Sequence, residues 1–227
     1  MNTGTPWHPE DAIALMPAPM RYDCHATGLL SPAQLDALRA AMPPSLFAAN
    51  YELKHIADED ALLDTAPRFT EDASLLRGGF AHLDAAYGGS DFTALTVGQL
   101  CDGGAVLYGR LWHRAADAVL EEIAAECAAH LASPVWCETN ADKGYLAREL
   151  RRMGLMVRTY AESMPKHMKI SAYLRKWWPR VRFLRGTDPE YLDQLTGYSV
   201  HAPHDDAPDS AACMLRLLEK RAERMTD

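Results

Sequence analysis

Apolar residues along this chain fall into two rhythms, short runs with period two and longer stretches with a helical period. Gly79 to Ala85 reads as a strand, Tyr87-Gly88-Gly89-Ser90 as a turn, and Phe92 to Leu100 as a second strand. Asp102-Gly103-Gly104 predicts a tight hairpin into a third strand, Ala105 to Trp112. Ala115 to Leu131 has apolar positions at Val119, Ile123, Cys127 and Leu131 and predicts a helix. Val135 to Glu138 is a short apolar strand, Lys143 to Met153 a helix ended by Gly154, and Leu155 to Tyr160 another strand. Lys166 to Trp178 predicts a basic amphipathic helix stopped by Pro179, and Val181 to Leu184 a short edge strand. Pro189 to Leu195 closes at Gly197, and a final helix runs from about Asp206 to Met225. Ahead of this lie an aperiodic, Pro-rich lead-in to about residue 30 and a short helix, Gln34 to Met42, begun by Ser31-Pro32 and stopped by Pro43-Pro44. A second helical stretch is expected from Phe47 to about Ala66. The order β-β-β-α-β-α-β, then helices, predicts an α/β protein. Its mixed sheet has five or more strands, the first three antiparallel, with helices on its faces.

Composition narrows the class. At 227 residues, 48% apolar and 24% charged, the chain suits one globular domain plus an extension. No apolar run approaches the ~20 residues needed to span a bilayer, and the first residues lack a basic-then-apolar leader. Five scattered cysteines without a CxxC pair argue against a thiolate zinc site or a disulfide framework and fit a reducing cytoplasm. No GxxxxGK[ST] loop occurs, so P-loop ATP hydrolysis is not expected of this chain, and GxSxG and HExxH are also missing. The net charge of −8 would disfavour a nucleic-acid partner, but it averages two unlike parts. Arg148 to Arg185 holds 11 Lys/Arg against two acids, while the rest holds 12 against 29. Such a basic block inside an acidic protein marks a face for an anionic partner.

Three groups of acids stand out. Asp84 and Glu138 each end an apolar strand, where an unpaired carboxylate is costly unless it meets a cation, donors or solvent. Asp205, Asp206 and Asp209 open the last helix, and Asp206 and Asp209 share one helix face. Each group has a plain structural reading: strand-end acids that cap a turn, and acids that cap a helix. If they converge on one sheet edge, their oxygen donors suit Mg²⁺ or Mn²⁺ better than zinc. Two such ions would suit phosphodiester chemistry. Lys143, Lys166, Lys169, Arg175, Lys176, Arg180 and Arg182, with Arg185, are candidates to grip DNA. Trp177 and Trp178 are read mainly as core, His82 as a packed histidine and His204 as a neighbour of the acids. The cysteines are read as small apolar residues.

HLDAAYGGSDFTALTV (82–97), VWCETNADKGYLARELR (135–151), KHMKISAYLRKWWPRVRFL (166–184) and HDDAPDS (204–210), in that order, resemble the C-terminal nuclease region of phage terminase large subunits. The resemblance spans about residues 47–218. It implies an RNase H-like fold and metal-dependent cutting of concatemeric double-stranded DNA, with two Mg²⁺ or Mn²⁺ ions. It matches Asp84 to the first-strand ligand, Glu138 to the fourth-strand ligand and Asp206 to the helix ligand. Asp205 would be a neighbour, Asp91 an auxiliary acid and Asp209 a substitute for Asp206. GTPWHPED (4–11) resembles the tail of the family's ATPase domain, so residues 1–75 are expected to be that tail and a linker, and 76–227 the nuclease domain. Terminase small subunit and portal protein are the implied partners, with a monomeric domain in the host bacterial cytoplasm and no membrane. An RNase H-fold junction or hybrid nuclease, and a catalytically silent DNA- or portal-docking module, are the alternatives.

Overall fold

The computed structural model describes residues 22–41, 47, 50–53, 63, 66–88, 91–139, 144–200, 202 and 204–226. The chain divides into two compact units, Met1–Asp64 and Thr65–Asp227.

In the first unit, α1 (Cys24–Thr27) is capped by Asp23, and α2 (Pro32–Ala41) begins where predicted. Ser31 and Gln34 cap α2 reciprocally: the Ser31 amide donates to Gln34 Oε1 at 2.9 Å, and the Gln34 amide to Ser31 Oγ at 3.4 Å. Cys24, Leu35 and Phe47 form a small apolar cluster there. Most of the helix expected from Phe47 to Ala66 lies outside the described residues.

The second unit is built on a seven-stranded mixed sheet. Its strands are β1 (Phe69–Thr70), β2 (Phe80–Asp84), β3 (Thr93–Cys101), β4 (Gly104–Trp112), β5 (Val135–Glu138), β6 (Val157–Tyr160) and β7 (Val181–Leu184). The spatial order is β1-β7-β4-β3-β2-β5-β6. β2, β3 and β4 pair antiparallel, as the hairpin signals predicted, and the other pairs are parallel. Asp102 and Gly103 both take positive φ, which the two-residue turn joining β3 to β4 requires. β7 was expected at the edge, but β1 pairs beyond it. A two-residue strand carries no periodic signal, and β1 was not predicted. The expected division at residue 75 would also leave β1 outside the sheet that it joins.

Helices cover both faces. α3 (Leu120–Ala129) and α4 (Tyr145–Arg152) bury Ile123, Cys127, Leu146, Ala147 and Leu150 against Leu83, Val97, Val135 and Cys137 of the sheet. The opposite face is covered by α5 (Lys166–Trp177), α6 (Pro189–Thr196) and α7 (Asp206–Thr226). Trp177 and Trp178 are both core, and the cysteines are free, four of them buried.

Gly109 shows how closely α6 seats on β4. A Cβ there would collide with the ring of Tyr191, which is fully buried and held by a 2.6 Å hydrogen bond between its hydroxyl and Thr96 Oγ1. A fixed aromatic ring has no room to yield. Gly109→Ala should therefore destabilise the domain by about 1–3 kcal/mol, read as a lower urea midpoint at unchanged slope. An unaltered midpoint would mean that Tyr191 can move aside.

Candidate active site

β2 and β5 are parallel neighbours in which Leu83 pairs with Cys137. The next residues, Asp84 and Glu138, therefore leave the sheet side by side at its carboxyl edge. Because Leu83 and Cys137 face the α3–α4 core, strand alternation turns Asp84 and Glu138 toward the α5–α7 face. The first turn of α7 arrives there with Asp206 and Asp209, both 8% exposed.

The two helix acids are engaged differently. Asp206 Oδ2 accepts the Phe92 amide at 3.2 Å, tying the helix to the entry of β3. Asp209 meets two ammonium groups. Lys169 Nζ stands 2.6 Å from its Oδ1, an ion pair without hydrogen-bond alignment, and Lys166 Nζ stands 3.7 Å from its Oδ2. Lys166 also donates to Asp205 Oδ1 at 2.6 Å. Lys169 continues to Glu162 Oε2 at 3.4 Å, where Arg216 closes the chain of charges at 2.8 Å.

Electrostatics identify the centre of this cluster. Burial, then the Asp209 charge, pushes the Asp84 carboxyl up to about 7, with Asp206 adding less and Lys166 opposing. Burial also raises Glu138, opposed by Lys169 and reinforced by Asp209. Burial raises Asp206, against the Phe92 amide. Asp209 is thus the helix carboxylate felt by both strand acids, whereas Asp206 is turned toward Phe92, with the exposed Asp91 close enough to be felt. Glu162 is the opposite case: burial would raise it, but the Arg216 bonds and the Met164 amide hold it at about 2.

Beneath the acids runs a buried polar chain. His82 Nδ1 lies 3.0 Å from Ser210 Oγ and its Nε2 2.8 Å from the Tyr160 hydroxyl, which donates to Cys213 Sγ at 3.1 Å. Thr96 Oγ1 donates to Ser210 Oγ at 2.8 Å. Burial lowers His82 to about 4, so it is neutral and packed, as its strand position suggested.

The basic block divides. Lys169 was expected on a DNA-facing surface, but it is 1% exposed, because its side of α5 packs on α7. Lys166 stands at the carboxylate edge. Arg182 pairs in register with Val106, near the start of β4, so Arg182 and the preceding Arg180 lie toward the opposite edge. Arg180 sits over the Trp177 ring at 4.6 Å, Arg182 against Cys101 Sγ at 3.4 Å, and Lys176 pairs with Glu219. Arg175 is half-buried and Arg185 pairs with Glu71. His204 lies edge-on to Phe92 at 5.0 Å. Lys143 lies outside the described residues. Glu162, Arg216, Ser210 and Tyr160 were not singled out from sequence. Glu162 left one sign, as one of only two acids in the basic block.

The donor set is chemically suited to a hard divalent cation, being all carboxylate. As the side chains stand, no three His, Cys, Asp or Glu groups among the described residues close to ligand spacing. The two lysines draw Asp205 and Asp209 toward α5 instead.

Comparison with solved structures identifies the architecture. The large terminase nuclease of thermophilic phage G20c with bound zinc matches at a TM-score of 0.50 and 15% identity, over 68% of this chain and 94% of that one. The large terminase of another thermophilic bacteriophage matches at 0.57 and 10% identity, over 95% of this chain. The chain spans 60% of the length of that second protein. No family model and no curated protein matches the sequence. At these identities the likeness establishes the fold, the RNase H-like fold of terminase nuclease domains, as the motifs led one to expect. Among the described residues no helix is long and apolar enough to cross a membrane.

Two outcomes test the cluster. The folded state holds a proton on Asp84 that the unfolded chain releases near pH 4. Stability from this group is therefore complete below about pH 4 and lost as pH rises to about 7. Asp84→Asn should raise the melting temperature at pH 8 in EDTA, with a gain that shrinks toward pH 4; an equal gain at both would refute the burial effect. Lys169→Ala leaves Asp209 without its buried partner and should cost ~3–5 kcal/mol, measured by chemical denaturation. A loss within error would mean that water takes its place.

Proposed function

We propose that this chain is the metal-dependent endonuclease domain of a phage terminase large subunit, cutting double-stranded DNA by a two-metal-ion mechanism. The observation that carries the reading is that Asp84 and Glu138 stand side by side at the carboxyl edge of adjacent parallel strands, both within the field of the helix acid Asp209. The fold is shared with large terminase nucleases, one of them crystallised with bound zinc. Asp84, Glu138 and Asp209 would hold the ions, Mg²⁺ or Mn²⁺, with Asp206, Asp205 and Asp91 around them. Held there, the ions would supply an activated water for attack on phosphorus and stabilisation of the departing 3′ oxygen. Asp209 takes the place that the sequence motif assigned to Asp206, because both strand acids feel its charge. Lys166 and Lys169 orient Asp209, and the neutral His82 with Ser210 holds the helix at its register. Double-stranded DNA, the small subunit and the portal are the partners proposed with this reading, in the host bacterial cytoplasm.

Conversion of supercoiled plasmid to nicked and linear forms tests the proposal, with Mg²⁺, Mn²⁺ or EDTA. Cutting should need metal, and Asp84→Asn and Glu138→Gln should each reduce it about a hundredfold or more. Asp209→Asn should reduce it more than Asp206→Asn. Cutting that survives in EDTA or in Asp84→Asn would refute the site. A wild-type protein that neither cuts nor binds metal by calorimetry would be a DNA- or portal-docking module.

A further inference from the structure

The carboxylates are not the one feature along α7. Beyond Arg216, α7 borders a cleft of about 300 Å³ at the amino ends of β2 and β5. Four cations line this cleft: Arg158 from β6, and Lys220, Arg221 and Arg224 from the last turns of α7. Among the described residues no carboxylate lines it. Its floor is aromatic. Arg158 stands 5.6 Å from the half-exposed Trp136 ring, and Arg221 stands 5.7 Å from the Phe80 ring. Arg221 is held in place by the Gly78 carbonyl at 3.2 Å. Arg158, Lys220 and Arg224 are exposed, so their charge faces whatever enters.

We infer that this cleft binds a nucleotide of a DNA strand, with the base against Trp136 and the phosphates on Lys220 and Arg224. An aromatic floor beneath a cationic rim is what a flat base joined to a phosphate requires, since stacking and ionic contacts act together. An acidic peptide would use the rim and leave the ring unused. Position agrees with chemistry. From Asp209 to Arg221 along α7 is about 18 Å at ~1.5 Å per residue, within the reach of a few nucleotides of a single strand. A strand seated here can reach the carboxylates, an inference that rests on the nuclease reading; the cleft's own affinity for DNA does not.

The test is binding of a fluorescein-labelled ten-nucleotide single-stranded DNA by anisotropy, in EDTA, with the full chain. Lys220→Ala/Arg224→Ala changes two exposed side chains and should weaken binding about tenfold. It should also flatten the slope of log affinity against log salt by about 1.4, two phosphates' worth for a single strand. Trp136→Leu should weaken binding about tenfold with the slope unchanged. Affinity and slope unaltered in the double variant, or no binding by the wild type, would overturn the cleft. So would polyglutamate displacing the oligonucleotide from the wild type as well as unlabelled oligonucleotide does, since the rim would then be a site for acidic polypeptide. Plasmid cutting separates the two ideas. A protein that binds through the cleft but never cuts keeps the cleft and loses the nuclease reading. One that cuts, with binding indifferent to Lys220 and Arg224, loses only the cleft.

Discussion

The site depends on the register of α7 against β2 and β3, and Ser210 sets that register. Its hydroxyl lies within hydrogen-bonding distance of His82 Nδ1, donates weakly to the His82 and Ala94 carbonyls, and receives the Thr96 hydroxyl. All three side chains are buried, so a slip of α7 would strand several polar groups without partners, each costing about 1–3 kcal/mol. Around Ser210 the helix is lined by Ala207, Ala211 and Ala212, small enough to bring its axis close to the sheet. The consequence is chemical. Asp209 precedes Ser210, so the bond that fixes one fixes where the other stands relative to Asp84 and Glu138.

A crowd of buried acids is unfavourable unless something positive lies among them. α5 delivers two ammonium groups from adjacent turns, Lys166 and Lys169, and Arg216 adds a guanidinium from α7. The compensation is uneven. Glu162 lies between two cations and is held at about 2, while Asp84 is left near 7. That unevenness distinguishes a structural ion-pair network from a site open to a cation. Glu162 with Arg216 and Lys169 is scaffolding; Asp84 feels the Lys166 charge, but burial and Asp209 outweigh it.

How much of this could be read from residues alone follows from the length scale of each signal. The strands β2 to β6 announced themselves because each is an apolar run bounded by turn residues, and Asp84 and Glu138 because an acid at the end of such a run is an anomaly. β1 has two residues and no pattern. The choice among Asp205, Asp206 and Asp209 was not legible, because Asp206 and Asp209 share a helix face. Only the neighbours, the Phe92 amide for one and the lysines for the other, tell them apart. His82 could be read as packed, but Ser210 and Tyr160, its partners, lie far away in sequence and are ordinary residues in isolation.

The basic block shows why a local run of charge misleads. Lys166 to Lys176 is continuous in sequence, but α5 is a rod: ten residues at ~1.5 Å separate its ends by about 15 Å. Its amino end lies at the carboxylates, and its lysines there are consumed as counter-ions, one of them buried. Its carboxyl end leads into Arg180 and Arg182, toward the opposite edge of the sheet. Further positive charge outside the block, Lys220, Arg221 and Arg224, lies on the helix that carries Asp209 but toward its far end, at the amino ends of β2 and β5. The rigidity of a single 21-residue helix thus holds acids and bases at a set separation along its length. A linear charge count has no means of expressing that relation.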